Sequence, residues 1–398
     1  MPSHWKETKL KHVLSKLSRV KQPNAELLVC SNKGKVVKRG DSKLGLVAES
    51  DEIYQGVCKN DLLIHGMDTW HGAIAISDYD GMCTPVVHVC ESKQDKHYIA
   101  YYLQFMAQAN VFKLISNGIR QNTSDFRSWD KVGAIPITLP TISEQQAIVA
   151  YLKDKTLKID QYVAARERER ELLESLKQSE IANVVTKGLN PNAPMKDSGI
   201  PWIGMIPEHW EVKRLKNYVH LITTASNSIT KVGLENIESF TGRYRNTDSR
   251  YEGNGTKVNI GDIVYGKLRP YLCKAWIASF ECNAVGDFYV FQIADENQMS
   301  TGYLHKIFLS PQFTAVCNAS TYGARMPRVS SSFMMTLSIP VPPLSEQQTI
   351  VTHIDEKLSK IDRCLADLQT EIDYLKEFKQ RLISDAVTGQ ICITNEIK

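Results

Sequence analysis

Two stretches of the chain carry its strongest periodic signal. In the later one, apolar residues fall at Ile354, Leu358, Ile361, Leu365, Leu368, Ile372 and Leu375, alternating steps of four and three. That spacing is the seam of a coiled coil and requires a partner helix. In the earlier stretch Leu152, Ile159, Val163 and Leu173 keep the equivalent places, but Arg166 and Arg170 interrupt the seam inside the run Arg166-Glu167-Arg168-Glu169-Arg170-Glu171. The run predicts a solvated helix face. Both stretches open after prolines (Pro140; Pro342 and Pro343) with Ser-Glu-Gln-Gln. There the serine can cap the first free N–H groups while the Gln three positions on reaches back. Gly188 and Gly389 are the predicted stops. About 43 residues at ~1.5 Å rise make a rod of ~65 Å.

The two stretches are copies of one another. Residues 143–189 align without gaps on residues 345–391, with 18 of 47 positions identical. Weaker echoes extend the duplication over the rest of the chain. Pro2-Ser3-His4-Trp5 matches Pro207-Glu208-His209-Trp210, Asn60-Asp61-Leu62-Leu63-Ile64 matches Gly261-Asp262-Ile263-Val264-Tyr265, and Gly118-Ile119-Arg120 matches Gly323-Ala324-Arg325. A repeat on this scale sets the architecture before any motif does. Short β-type runs between Gly/Asn/Asp turns, such as Leu62-Leu63-Ile64 and Asp287-Phe288-Tyr289-Val290-Phe291, together with helical patterns at 97–116 and 302–318, predict mixed domains. The fold class is therefore α/β (α+β), with an internal two-fold repeat: two mixed domains joined by two long antiparallel helices forming a coiled coil. The predicted boundaries are a first domain at 1–142, a helix at 143–189 and a Pro/Gly/Asn-rich linker at 190–206. A second domain at 207–342, a helix at 343–389 and a tail at 390–398 follow.

Composition narrows the class without changing this picture. The chain has 398 residues, 42% of them hydrophobic and 23% charged, which suits two or three globular units and excludes a disordered chain. No run approaches the ~18 apolar residues of a membrane span, and the start lacks the apolar stretch of a signal peptide. The expectation is a soluble cytoplasmic chain with no membrane partner. Nine scattered cysteines, never in C-x-x-C spacing, argue against a disulfide framework or a zinc site and read as reduced packing residues.

The net charge of +4 divides unevenly: +4 over 1–142, 0 over 143–189, +3 over 190–342 and −3 over 343–398. The basic excess lies in the globular domains and points to an anionic partner such as double-stranded DNA. Lys33, Lys35, Lys38, Arg39 and Lys43 crowd one Gly-punctuated stretch, and Arg120-Gln121-Asn122 follow Gly118. In the second domain Arg243, Tyr244, Arg245, Arg250, Lys267, Arg269, Arg325 and Arg328 stand beside aromatics or Gly/Pro turns. Arginine can hold phosphate or read guanine, while Asn and Gln can read adenine. These side chains, Lys43 apart, are the candidate DNA contacts. The seam residues of the two helices are the candidate helix-pairing and partner-binding positions.

The tools of an enzyme are missing from the pattern. There is no phosphate-binding G-x-x-x-x-G-K-[ST] loop, no dinucleotide loop, no Asn-Pro-Pro-aromatic element, no H-E-x-x-H and no G-x-S-x-G. No catalytic residue and no metal site is assigned. Asp78 or Asp80 followed by Glu91-Ser92-Lys93 has a spacing that could hold Mg²⁺ as in a nuclease, but the second half lacks it and a solvated strand end is the preferred reading.

The repeat, its Ser-Glu-Gln-Gln helix start, the run Gly199-Ile200-Pro201-Trp202-Ile203-Gly204 leading to Ile206-Pro207-Glu208-His209-Trp210, and Gly261-Asp262-Ile263-Val264 with Arg269-Pro270-Tyr271 resemble the specificity subunit of a Type I restriction-modification enzyme. The resemblance covers essentially the whole chain. It implies that each domain is a target recognition domain reading one half of a split DNA sequence. It further implies that two modification (methyltransferase) subunits dock on the helices and bring S-adenosylmethionine, and that restriction subunits add ATP- and Mg-dependent translocation and cleavage. No cofactor is then expected in this chain. A stand-alone DNA-binding or scaffold protein without modification partners, and a self-contained nuclease using Asp80, Glu91 and Lys93, remain the alternatives.

Overall fold

The computed structural model describes residues 2–40, 53–115, 126–227 and 229–393. Two compact units result, one of Met1–Arg166 with Thr370–Lys398 and one of Glu167–Gln369. Among the described residues the helices are α1 (Lys96–Gln108), α2 (Val111–Ile115), α3 (Trp129–Gly133), α4 (Ile142–Lys187), α5 (Thr301–Leu309), α6 (Pro311–Ala319), α7 (Ser331–Thr336) and α8 (Leu344–Val387). Each unit takes part of both long helices.

The units share a sheet design. In the first, four antiparallel strands run in the order Leu14–Lys16, Val87–Ser92, Leu62–His65, Ile74–Ile76; in the second the order is Val219–Ile222, Phe288–Ile293, Ile263–Gly266, Ala275–Ile277. Each central strand starts from one repeated turn, where Asp61 accepts from Cys58 N (2.7 Å) and Asp262 from Asn259 N (2.8 Å). The residue before the aspartate has positive φ, Asn60 at 71° and Gly261 at 90°, a conformation that Asn and Gly adopt most readily. One face of each sheet packs on the helices. α1 buries Tyr98, Ile99, Leu103 and Met106 with Leu152 of α4 and Ile383 and Val387 of α8; α5 buries Tyr303, Leu304, Ile307 and Phe308 with Ile181 of α4 and Ile350 and Ile354 of α8. Tyr98 Oη lies 2.9 Å from the Thr138 carbonyl and 3.3 Å from that of Val387; Tyr303 Oη lies 3.2 Å from Pro340 O and 3.1 Å from Val185 O. One tyrosine in each unit thus satisfies the carbonyls of a strand and of the last turns of a long helix.

Three local expectations fail, two on helix-end signals in the residues themselves and one on tertiary packing. The predicted helix at 97–116 breaks at Asn110, which adopts φ 56. The one at 302–318 breaks at Ser310, which is extended and caps α6 ahead of Pro311. The stretch expected as a linker contains a hairpin, Met195–Asp197 paired antiparallel with Met205–Pro207. It buries Ile203 and Ile206 and sets Trp202 edge-on to Phe313 at 5.9 Å. Its apolar residues have a core to enter, which a solvated linker lacks.

The Ser-Glu-Gln-Gln tetrapeptide works differently from a serine cap. The capping box at α4 is Thr141 with Glu144: Thr141 N and Oγ1 donate to Glu144 Oε2 (2.9 and 2.7 Å), and Glu144 N donates back (3.4 Å). At α8 Pro343 occupies that place and cannot cap. What the two copies share is a clamp. Glu144 Oε1 lies 2.8 Å from His4 Nε2 and accepts from Trp5 Nε1 (3.4 Å); Glu346 Oε2 lies 2.8 Å from His209 Nε2 and accepts from Trp210 Nε1 (3.0 Å). The following glutamines, both fully buried, accept from the caps of α1 and α5, Gln145 from Asp95 N (3.0 Å) and Gln347 from Ser300 N (2.8 Å). Each long helix is thereby fastened to its own domain at its first turn.

Burial opposes ionisation of Glu144, but hydrogen bonds from His4, Thr141 and Trp5 outweigh it and hold its pKa at about 2, against the usual 4.5. A carboxylate depressed in this way stabilises the fold above its unfolded pKa and loses that contribution as pH falls. Glu144→Gln should therefore flatten the acid-unfolding curve between pH 4.5 and about 2, measured by far-UV circular dichroism. An unchanged slope in that window would show that the clamp does not discriminate charge.

Candidate nucleic-acid interface

In the first unit Lys33 and Lys35 are exposed at the turn of the hairpin Leu28–Ser31 and Lys35–Lys38. Lys38 is committed: it pairs with Glu26 at 2.9 Å and sits 5.2 Å over the Tyr79 ring. Arg39 is half-buried at the end of that strand, and its backbone N donates to Leu27 O (2.9 Å). Arg120, Gln121 and Asn122, with Lys43, lie outside the described residues.

The second unit separates its candidates into two groups. Lys267, Arg269, Arg325 and Arg328 come together because residues 267–269 pair with 327–329: Arg269 N donates to Pro327 O (2.7 Å) and Val329 N to Lys267 O (3.1 Å). Tyr322 and Arg328 exchange both backbone hydrogen bonds at 3.0 Å, closing a tight loop whose tip carries Gly323, Arg325 and Met326. Arg269 itself has left-handed backbone, φ 50 and ψ 64, a conformation that costs about 1–2 kcal/mol for a side-chain-bearing residue and persists only where the surroundings hold it. Arg269 and Arg325 are exposed beside two exposed aromatics, Tyr271 at 46%, which the sequence places next to Arg269, and Tyr322 at 59%, which charge-based reasoning missed. Lys267 is half-buried over the Tyr289 ring at 5.2 Å.

Arg328 is the brace of that loop rather than a presented group. Its guanidinium grips Asp287 with two hydrogen bonds of 3.0 Å. Tyr244 likewise packs against Trp276 (5.5 Å) and Phe280 (5.0 Å), within an apolar cluster. Arg243 pairs with Asp362 of α8. Arg245 and Arg250, on the same stretch, are exposed.

The helix seam is continuous in both units. Leu152, Ile159, Ile354, Ile361, Leu368 and Ile372 are buried, and Val163, Leu173, Leu358, Leu365 and Leu375 half-buried. The tripeptide Lys158-Ile159-Asp160 recurs at the repeat offset as Lys360-Ile361-Asp362: Ile159 and Ile361 enter the seam, while Asp160 receives Lys379 (2.6 Å) and Asp362 receives Lys177 from the opposite helix. Together with Arg166–Glu371 (3.1 Å) in the first unit and Glu180–Lys357 (2.7 Å) in the second, where the number on α8 falls as that on α4 rises, these pairs establish the antiparallel arrangement within each unit. The charge run is not simply solvated. Arg166 pairs with Glu371 (3.1 Å) and Arg170 donates to Gln369 (2.8 Å), so both occupy seam positions and meet polar partners across it. Arg168, by contrast, is exposed and pairs locally with Glu171.

Two apolar pairs stay outside the seam. Leu172 and Leu176 on α4 are 57% and 44% exposed, and Tyr374 and Phe378 on α8 are 67% and 55% exposed. Each pair is spaced i, i+4 and so shares a helix face. By the repeat offset, 172 corresponds to 374 and 176 to 378.

Residues 2–162 and 173–376 match the Type I restriction modification DNA specificity domain. The chain belongs to that family. The Type I restriction enzyme EcoDI specificity subunit of Escherichia coli is 21% identical over 314 residues, covering 73% of this chain and 70% of that protein. The putative type I restriction enzyme MjaX specificity subunit of Methanocaldococcus jannaschii is 24% identical over 350 residues, covering 85% and 74%. Among solved structures, a chain from work on complex assembly and conformational transition of the type I R-M system superposes with a TM-score of 0.72 at 15% identity, covering 97% of this chain and 98% of that one. The HsdS subunit from Thermoanaerobacter tengcongensis gives 0.51 at 16% identity, covering 98% of both. These likenesses establish the fold.

Membership in the Type I specificity family accords with how the nuclease-like residues are used. Glu91 pairs with Lys96 (2.8 Å) and Asp80 accepts from Lys59 N (2.8 Å), so each has a structural partner. Among the described residues no group of three or more His, Cys, Asp or Glu is placed to hold a metal ion, and no helix is long and apolar enough to cross a membrane.

Proposed function

We propose that this chain is the DNA-recognition subunit of a Type I restriction-modification enzyme, non-catalytic in itself. Each unit's domain reads one half of a bipartite double-stranded target. The observation that carries the reading is the braced loop of the second unit, which presents Arg269 and Arg325 with Tyr271 and Tyr322 from a domain duplicated elsewhere in the chain. Exposed arginines beside exposed aromatic planes suit base-edge hydrogen bonding with stacking on sugar or base. The hairpin lysines Lys33 and Lys35 act as phosphate contacts in the first domain, with Arg39 at its edge and Arg120, Gln121 and Asn122 reading its bases; Arg245, Arg250 and Lys267 support the second.

The helix pair acts as the spacer between the readers and as the seat for partners. Its two repeat-related apolar pairs, Leu172 with Leu176 and Tyr374 with Phe378, are the seats we assign to two modification subunits. Those subunits supply S-adenosylmethionine chemistry, and restriction subunits supply ATP- and Mg-dependent translocation and cleavage.

Binding-site selection on random duplexes tests the reading. Arg325→Ala should cost about 1–3 kcal/mol on the preferred site and relax one base position, whereas Lys33→Ala with Lys35→Ala should weaken all sequences alike and lower the salt slope by about 2. If Arg325→Ala left affinity and preference untouched, the loop would not be the reader.

A further inference from the structure

Beyond the clamp at its first turn, α8 is tied to the domain of the second unit by two ion pairs seven residues apart. Lys306 of α5, with a side chain only 11% exposed, pairs with Asp355. Arg243, from the turn 241–243, pairs with Asp362, which also holds Lys177 of α4. That turn has no slack. Gly242 has φ 68, and a Cβ there would sit 2.4 Å from Nε2 of His305 on α5. His305 is itself buried, with Nε2 2.9 Å from the Ala275 carbonyl. Thr241 Oγ1 accepts from Arg243 N (3.2 Å) and donates to Glu238 Oε2 (3.0 Å), so the base of the arginine is held as well.

The apolar attachment of the domain to α8 centres on Ile350 and Ile354, with Leu358 at its edge. Asp362 lies eight residues past Ile354, about 12 Å farther along the helix. A tie at the end of that lever resists rocking about the apolar contact far better than one close to it. The first unit lacks part of this device, because the repeat places Lys153 where the second unit has Asp355.

We propose that Arg243 is a positioning residue: through Asp362 it sets the angle of the second recognition domain on its helix pair, and with it the length of unread DNA tolerated between the half-sites. This rests on the reading that the chain recognises a bipartite target. Arg243 itself touches no base, although its charge and its neighbour Arg245 place it among contact candidates by sequence.

The test is binding-site selection with the chain assembled with its modification subunits, using a duplex library randomised in half-site sequence and in spacing. Arg243→Ala and Asp362→Asn should each lower the preference for the native spacer over one a base pair longer or shorter, by up to about fivefold for an exposed ion pair. Both half-site sequences should stay the same. The exchange Arg243→Asp with Asp362→Arg, made together with Lys177→Ala so that the new arginine faces no like charge, should regain spacer preference, and Lys177→Ala alone, which breaks only the cross-helix half, should keep it. The inference is overturned if Arg243→Ala relaxes a base within the half-site, if the exchange regains nothing, or if Lys177→Ala loosens spacing as much as Arg243→Ala. A wild-type assembly that selects no split site would instead refute the underlying reading.

Discussion

Trp210→Ala should destabilise the protein by about 3–5 kcal/mol, the usual cost of emptying a fully buried aromatic site. Its repeat counterpart Trp5→Ala should cost roughly half as much. Trp210 is wholly buried, whereas Trp5 is half-exposed. Trp210 also sits at the junction of both long helices in its unit. Its Nε1 donates to Glu346 in the first turn of α8, and its ring lies 3.2 Å from where a Cβ on Gly188, just past the end of α4, would stand. Removing the indole empties a core site and deprives a partly buried carboxylate of a donor, which adds to the cavity term. Urea titration followed by far-UV circular dichroism reads both variants. Equal losses would show that the two tryptophan junctions are packed alike, contrary to the burial.

The second large effect concerns assembly. Leu172→Asp with Leu176→Asp should abolish one modification-subunit seat, and Tyr374→Asp with Phe378→Asp the other, each weakening its own site by about a hundredfold or more. Native mass spectrometry of the assembled complex should then find two modification subunits on the wild type, one on either paired variant, and none on the combined one. The expectation follows from the repeat: partners present in two copies need two seats of one design, and these two pairs occupy equivalent positions on equivalent helices. Because all four residues lie outside the seam, the helices should melt as in the wild type. A paired variant that still holds two subunits would refute the assignment.

Much of the architecture is legible in the residue order. The seam residues from Ile354 to Leu375 follow from spacing, because burial of a helix stripe is imposed by a partner parallel or antiparallel to it and leaves a periodic imprint. The Lys-Ile-Asp repeat is visible as a repeat but mute as chemistry, since the lysines that answer Asp160 and Asp362 come from the other helix. The Ser-Glu-Gln-Gln motif misleads in detail for the same reason. Its buried glutamines meet Asp95 and Ser300, 50 and 47 residues away, which no local capping rule anticipates. The folded hairpin at 195–207 is also decided by what lies nearby to bury, whereas the break of the first short helix is a local signal left unread, an asparagine in the left-handed position just past the helix end.

The sequence by itself determined the doubled plan, the two long helices, the mixed domains and the basic character of the readers, because periodicity, repetition and net charge are properties of a chain in order. Only the tertiary structure decided which basic residues are presented. Arg243 answers a carboxylate 119 residues distant and Arg328 one 41 residues distant, while Arg269 and Arg325 are left facing solvent. Whether a charge is spent inside the fold depends on its neighbours in space, and those are set by packing rather than by sequence adjacency.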